Sequence, residues 1–250
     1  MKRIILFHLI IIFCFTSCEI LNTDEYDWRK TKFITSPDDT SIPDSIKKLI
    51  RIDAATLALR DLIKDPEAKY NLVEIPNDLI ELYYRGLVHI YNARKYSPFD
   101  KVSNIHVFPE PTVSDIVILF DTTYVWTLAW KRGERLTGNS EIDSLMENYN
   151  LQLHSCHFDI AALYSPNPVN TYALSKLFVG VDGIRISEPN GYMGDGNNIQ
   201  AEILKSHLSY TFSVGWGDCP SGCISRHFWE VNVDYNGTVK MIKEYGDPLP

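Results

Sequence analysis

The sequence has little positive charge and lacks an apolar stretch long enough to cross a bilayer. Lysine and arginine number 24 against 32 aspartates and glutamates, which gives a formal net charge of −8. Such an acidic surface repels phosphate backbones, so we expect neither nucleic acid nor charge-driven binding to anionic lipid. A membrane-spanning helix needs about 20 apolar residues, whereas the apolar run at residues 4–15 is shorter and contains His8.

Several signatures of catalysis are also missing. The sequence contains neither the HExxH motif of zinc proteases nor the GxSxG turn that carries a nucleophilic serine. Residues 194–196, Gly-Asp-Gly, do not form a phosphate loop because no Lys-Ser or Lys-Thr follows them. We therefore expect no cofactor, and these absences favour a protein that is not an enzyme.

What the sequence does contain is typical of a folded globular protein. Hydrophobic residues make up 45% of the chain and charged residues 22%. The aromatic content is high, with 5 Trp, 14 Tyr and 11 Phe. This composition supplies enough apolar bulk for a packed core, so disorder over the whole chain is excluded.

The N-terminus has the order of features found in bacterial lipoprotein signals. Lys2 and Arg3 precede the apolar run, and the small residues Thr16 and Ser17 precede Cys18. The segment resembles these signal peptides. The resemblance implies cleavage before Cys18 and acylation of its thiol. Two or more acyl chains hold a protein stably on a membrane, so we expect the membrane to be a partner through this anchor.

The residue after the anchor indicates which membrane of the cell envelope carries the protein. Aspartate at this position retains enteric lipoproteins in the inner membrane, and Glu19 stands here instead. The outer membrane is therefore the expected location. Beyond the signal at 1–17, residues 18–43 are polar with little periodicity and predict a flexible tether. Residues 44–250 are expected to form a single domain.

Hydrophobic periodicity predicts an α+β fold for that domain. Apolar residues recur at spacings of three and four over 46–63 and 79–91, which predicts an N-terminal helical hairpin. A mainly antiparallel sheet should follow. The predicted strands are 105–108, 116–120, 124–130, 151–158, 183–187, 208–214, 228–233 and 239–243. The last three predict a meander, with Asn236-Gly237 as a type I′ turn between its final strands.

A helix is also predicted at 170–179, between two of these strands. The resulting order of strand, helix and strand over 151–187 is that of half a ferredoxin-like sandwich.

The stretch 215–223, Gly-Trp-Gly-Asp-Cys-Pro-Ser-Gly-Cys, is the most distinctive part of the sequence. In an oxidising compartment Cys219 and Cys223 should form a disulfide, and the proline and glycine between them favour the sharp turn that this needs. The alternative is a zinc site with Cys219, Cys223 and His227 as ligands, four residues apart in each step. The state of Cys156 stays open.

The same region supplies the candidate ligand-binding residues. They are Trp216, Asp218, His227 and Asp195. The loop 188–198 is rich in glycine and oxygen ligands, and we expect a surface loop there in preference to a calcium site. His106 lies in a predicted strand and is expected to be a packed, hydrogen-bonded histidine.

A family resemblance adds to this picture. The lipoprotein signal combined with the stretches 105–109, 188–190, 194–196 and 217–223, the last reading Gly-Asp-Cys-Pro-Ser-Gly-Cys, resembles uncharacterised secreted proteins and lipoproteins of Bacteroidota. The resemblance implies a compartment and no activity.

Two functional hypotheses follow from the sequence. The first is a non-enzymatic envelope protein that binds a protein, peptide or glycan through loops near Trp216 and Gly191. The alternative is an envelope enzyme, a zinc-assisted hydrolase that uses Cys219, Cys223 and His227. A pocket in which histidines and carboxylates converge would favour the enzyme, whereas an exposed apolar patch would favour the binding protein.

Overall fold

The computed structural model describes residues 28–250. The expected signal at 1–17, the anchor Cys18 and the first part of the expected tether lie outside the described residues. Within the described range, no helix is both long and apolar enough to cross a membrane.

Helices and strands alternate in blocks along the chain. The helices are α1 (Asp44–Leu62), α2 (Pro66–Asn71), α3 (Asn77–Ala93), α4 (Phe99–Val102), α5 (Thr127–Lys131), α6 (Ser140–Asn148) and α7 (Thr171–Val179). The strands are β1 (Asp115–Phe120), β2 (Gln152–His157), β3 (Ile160–Tyr164), β4 (Ile184–Pro189), β5 (Asn198–Ile203), β6 (His207–Trp216), β7 (Ser225–Asp234) and β8 (Val239–Gly246). Short 3₁₀ helices occupy Trp28–Lys30 and Cys219–Ser221.

The strands form two antiparallel sheets of four, which confirms the α+β class. The second sheet has the order β5-β6-β7-β8 and is a meander, as predicted, with one strand more than expected. The additional strand is β5. Its alternation of Asn, Gln and Glu with Ile, Ala and Ile is visible in the sequence once the preceding loop is known to end at residue 197.

The first sheet has the order β2-β3-β1-β4, and every neighbouring pair is antiparallel. Together with α5, α6 and α7, this order of elements is the ferredoxin-like arrangement. Because β1 and β4 are antiparallel neighbours, the start of β1 lies next to the end of β4, and the chain enters and leaves this unit at adjacent points. There the amide of Asn190 donates to the carbonyl of Asp115 at 2.9 Å. Residues 115–189 are thus inserted between the helices and the meander.

Each sheet has its own hydrophobic core, and we call the two parts the first and second lobes. In the first lobe, α1 and α3 pack on the β5–β8 sheet around Tyr83, Tyr210 and Trp229. In the second lobe, α5, α6 and α7 cover one face of the β1–β4 sheet around Trp130 and Phe178. The core of a sheet with one covered face forms from alternate residues of each strand.

Asn170 connects α7 to the end of α2. Its side-chain oxygen caps α7 by accepting the amides of Tyr172 and Ala173, at 3.1 and 3.4 Å. Its side-chain amide donates to the carbonyls of Ala68, Lys69 and Leu72 around the end of α2. Asn170 is completely buried, so these bonds fix α2 against the second lobe.

The segment 28–43, which the sequence assigns to the tether, packs on the first lobe. Phe33 is buried, and its ring contacts those of His89 and Tyr235. The amide of Ile34 donates to the carbonyl of Tyr235 at 2.8 Å, and Asn92 donates to the carbonyl of Asp38 at 2.6 Å. Only ten positions then separate Cys18 from Trp28, the first described residue.

Two predicted strands are absent from the described chain. Residues 105–108 do not pair with another strand, because side chains bind the backbone groups there: Asp53 accepts the amide of Val107, and Arg60 donates to the carbonyl of Phe108. Residues 124–130 form a turn followed by α5. Aromatic and β-branched residues favour a strand locally, but a helical turn packs both Trp126 and Trp130 against Phe120.

Candidate functional site

Two loops at one end of the meander lie against each other and form what we call the loop cluster, residues 190–197 and 217–224. The amide of Asp195 donates to the carbonyl of Cys219 at 2.9 Å, and the amide of Gly215 donates to Asn197 at 3.3 Å. Gly194 has φ +96°, and a Cβ there would lie 2.8 Å from the carbonyl oxygen of Cys219. The close approach of the loops therefore depends on this glycine.

Cys219 and Cys223 are within disulfide distance, as predicted, and their Cα atoms are 3.9 Å apart. A 3₁₀ turn over Cys219–Ser221 and a left-handed Gly222 at φ +108° bring the two residues together. Bonded sulfurs offer no thiolate to zinc. Within residues 28–250, no group of three or more His, Cys, Asp or Glu side chains is placed to hold a metal ion.

An ion pair fixes the loop cluster to the sheet. Arg226 on β7 lies 2.5 Å from the carboxylate of Asp195. The guanidinium also donates to the carbonyl of Gly196 and to the hydroxyl of Ser213, each at 2.8 Å. The hydrogen bond from Arg226 lowers the pKa of Asp195. The candidate ligand residue Asp195 is thus already engaged in a structural contact that sequence patterns did not indicate.

His227 is held outside the loop cluster. Its Nδ1 lies 2.6 Å from the carbonyl oxygen of Asp247, and its Nε2 lies 3.2 Å from a carboxylate oxygen of Glu244. The imidazole also contacts the ring of Trp229. Both ring nitrogens are therefore occupied, and the zinc alternative has no ligand in this histidine.

The remaining candidates, Trp216 and Asp218, belong to the loop cluster or adjoin it. Trp216 ends β6 opposite Ser225 and is half-buried, whereas Asp218 is exposed. The hydrogen bond from Asp195 to Cys219 brings Asp195 close to Asp218. The register of β6 and β7 places Trp216 on the same face of the sheet as His227, and Arg226, the partner of Asp195, on the opposite face.

The loop cluster exposes three large apolar side chains. Tyr192 is 59% exposed, Met193 96% and Ile224 78%. Exposed apolar side chains that are grouped together mark interaction sites more often than isolated ones do. Sequence reasoning did not select these three residues, because burial of individual loop side chains has no periodic signal.

Glu110 holds the loop that carries Tyr192 and Met193 in place. The carboxylate of Glu110 accepts the amide of Tyr192 at 3.0 Å. A Cβ at Gly191 would lie 3.0 Å from the same carboxylate oxygen. Together with the disulfide and the Asp195–Arg226 pair, this contact preorganises the apolar side chains, which lowers the entropic cost of binding.

A pair formed by a buried acid and a half-exposed histidine lies elsewhere, in the first lobe. Asp53 on α1 is buried, accepts the amide of Val107 at 2.9 Å and lies 2.7 Å from Nδ1 of His106. This hydrogen bond raises the pKa of His106 and places the Nδ1 proton toward Asp53. The pair adjoins an apolar crevice lined by Tyr91 and Ser103 among others. His106 is thus a hydrogen-bonded histidine that anchors the segment after α4.

Cys156 is the cysteine of the described residues that is outside a disulfide. Its side chain packs partly against the second core, and burial raises the pKa of the thiol. A thiol with a raised pKa holds little thiolate and reacts slowly.

Comparison with known proteins adds no identification. No family model matches the chain, and neither a curated protein nor a solved structure is significantly similar to it.

Proposed function

We propose that this chain is a lipid-anchored protein of the cell envelope, on the outer membrane, that binds a polypeptide partner through the loop cluster. The observation that carries the binding role is the exposure of Tyr192, Met193 and Ile224 on two loops that contact each other and are held by a disulfide and an ion pair. The signal that ends at Cys18 supports the anchor.

The chemistry of the loop cluster favours a polypeptide over a glycan. Glycans present many hydroxyls and are bound by polar side chains beside an aromatic ring. Here Met193 and Ile224 offer no hydrogen bond, Asp195 is paired with Arg226, and Trp216 is half-buried. Methionine and aliphatic groups adapt to apolar protein surfaces, where they displace water.

The anchor sets how far the binding surface lies from the membrane. A fully extended chain spans at most about 3.6 Å per residue, so the ten positions from Cys18 to Trp28 reach about 35 Å. If residues 28–43 were part of a free tether, the reach would be more than twice as long. The proposal therefore describes a domain held close to the bilayer, with partners in or near the same membrane.

Metabolic labelling with a fatty acid tests the anchor. We expect the wild-type chain to carry label and the Cys18→Ala variant to carry none, because no other residue is acylated in this class of signal. Cys14→Ala is the matched control, since it removes a cysteine of the same segment and should keep the label. Labelled Cys18→Ala protein would show that the anchor is assigned to the wrong residue.

Site-specific photo-crosslinking tests the loop cluster. A crosslinking amino acid in place of Met193 should give a defined adduct in the native cell envelope, and Ile224→Asp in the same chain should abolish it by charging the apolar surface. The same crosslinker in place of Tyr96, which is exposed outside the loop cluster, is the control. An adduct that survives Ile224→Asp, or one that position 96 gives equally, would contradict the proposal.

A further inference from the structure

The sheet of the second lobe has one face that its helices do not cover. Register across β1, β3 and β4 places alternate residues on this side, which we call the open face. Its members are Asp115, Val117, Leu119, Ile160, Ala162, Tyr164, Ile186 and Glu188. The opposite side carries Ile116, Ile118 and Phe120, all completely buried under the helices.

The sequence of β1 is typical of a strand covered on both faces. It runs Ile-Val-Ile-Leu-Phe from Ile116 to Phe120 with no polar residue. Antiparallel strands with one solvated face normally alternate apolar and polar residues, whereas continuous apolar runs occur where both faces are buried. In this strand the helices bury only the alternate positions, so the sequence is more apolar than the fold of the single chain requires.

The apolar part of the open face is a row of side chains across three strands. Leu119 is paired with Ile160 of β3 and with Ile186 of β4. Ile160 is 47% exposed and Ile186 48%, and Phe158 in the adjoining β2–β3 turn is 90% exposed. Such a row buries substantial apolar area when a partner covers it.

Acidic side chains lie beside this row. Glu188 is paired with Val117 and lies two residues along β4 from Ile186. Asp115 lies two residues before Val117 on β1, and so further from the row. Successive residues on one face of a strand are about 7 Å apart, so the Cα atoms of Glu188 and Asp115 lie about 7 and 13 Å from those of the apolar row. The carboxylate of Asp115 also accepts from the hydroxyl of Ser114. Among the described residues, the open face includes no lysine or arginine, and nearby Arg185 pairs with Asp121 at 3.1 Å.

This charge pattern decides between two kinds of occupant. A second copy of the chain would bring carboxylates into the same interface as carboxylates, which is unfavourable. A polypeptide with lysine or arginine next to apolar residues would match both the apolar row and the neighbouring carboxylates of Glu188 and Asp115, which we call the acidic end of the open face. β4 also continues directly into the loop cluster, since Glu188 precedes Tyr192 by four positions.

We propose that the open face docks an extended polypeptide segment of another protein, in which apolar side chains are followed at alternate positions by lysine or arginine. Alternate residues of an extended segment point to one side about 7 Å apart, which is the spacing of the apolar row and the carboxylates. This surface goes beyond the proposed function, because it is separate from the three exposed side chains of the loop cluster and does not depend on the anchor.

A pair of fluorescent peptides tests this proposal by anisotropy with the purified protein. One peptide carries two leucines and then two lysines at alternate positions among serines, and the other has glutamates in place of the lysines. We expect the lysine peptide to bind roughly tenfold more tightly than the glutamate peptide. Ile160→Ser with Ile186→Ser should weaken it by a similar factor, and both sites are exposed enough to tolerate serine.

Charge reversal gives the decisive comparison. Glu188→Lys should weaken the lysine peptide and strengthen the glutamate peptide, whereas Met193→Ser in the loop cluster should change neither. If Met193→Ser alone abolished binding, the peptide would occupy the loop cluster and the open face would be the wrong site. Lack of preference for the lysine peptide, or a dimer in sedimentation that Ile186→Asp dissociates, would overturn the proposal.

Discussion

Replacing Arg60 with methionine is expected to lower the free energy of unfolding by about 3 kcal/mol. The guanidinium lies at the end of α1 and donates five hydrogen bonds to groups in two other segments. The carbonyls of Phe108, Glu110 and Ile199 each accept from it at 2.8 to 3.1 Å. Methionine matches the aliphatic stem of arginine but leaves these acceptors without a protein donor.

The expected effect is large because neither water nor lysine can supply all the hydrogen bonds that the guanidinium donates. Buried polar groups that lose a partner cost about 1 to 3 kcal/mol each, and water can reach only part of this half-buried site. Burial also lowers the pKa of Arg60, in keeping with a cation that is enclosed by carbonyls instead of solvent. A lysine ammonium is a single point charge and lacks the planar fork of donors with which arginine reaches three carbonyls. Arg60→Lys should therefore be little more stable than Arg60→Met.

Urea denaturation of Arg60→Met, Arg60→Lys and a control measures this prediction. Arg132→Met is the matched control, because Arg132 pairs with Glu134 at 2.7 Å on the surface. Exposed pairs of this kind contribute little to stability. Equal destabilisation by Arg60→Met and Arg132→Met would contradict the structural role of the buried guanidinium.

Periodicity predicted the elements whose apolar residues repeat strongly. The helical hairpin, the helix at 170–179 and the final strands were found because one face of each is buried, and burial of one face produces a period in the sequence. Residues 124–130 were assigned wrongly, since local strand preference competes there with the packing of two tryptophans against Phe120. Contacts distant in sequence decide such segments, and no local pattern reports them.

The candidate site was predicted in part for a similar reason. The disulfide was predicted from the spacing of the two cysteines and from the oxidising compartment that the signal leads us to expect. The loop around Trp216 was selected for its unusual composition. Arg226, which neutralises Asp195, lies 31 positions away and gives no motif. The acidic end of the open face was likewise hidden, because only strand register places Glu188 beside Val117.

The close packing of α3 on the meander leads to a second large effect. Gly86 lies in α3 where the helix crosses β6, and a Cβ there would lie 2.1 Å from the hydroxyl oxygen of Tyr210 and 2.8 Å from Leu208. Tyr210 is completely buried and donates to the carbonyl of Tyr83 at 3.2 Å, so it cannot move into solvent. The glycine is therefore required by contact distance, although alanine is the better helix former by about 1 kcal/mol.

Gly86→Ala should accordingly destabilise the protein by about 2 kcal/mol, since overpacking a core costs about 1 to 3 kcal/mol. Gly180→Ala is the matched control, because its added methyl group meets only an ordinary contact at 3.6 Å, and it should change stability little. Tyr210→Phe removes the nearest obstructing atom, so it should cost less in the Gly86→Ala background than in the wild type. A double-mutant cycle by urea denaturation measures this coupling; additive effects would show that the helix and strand separate more easily than their spacing indicates.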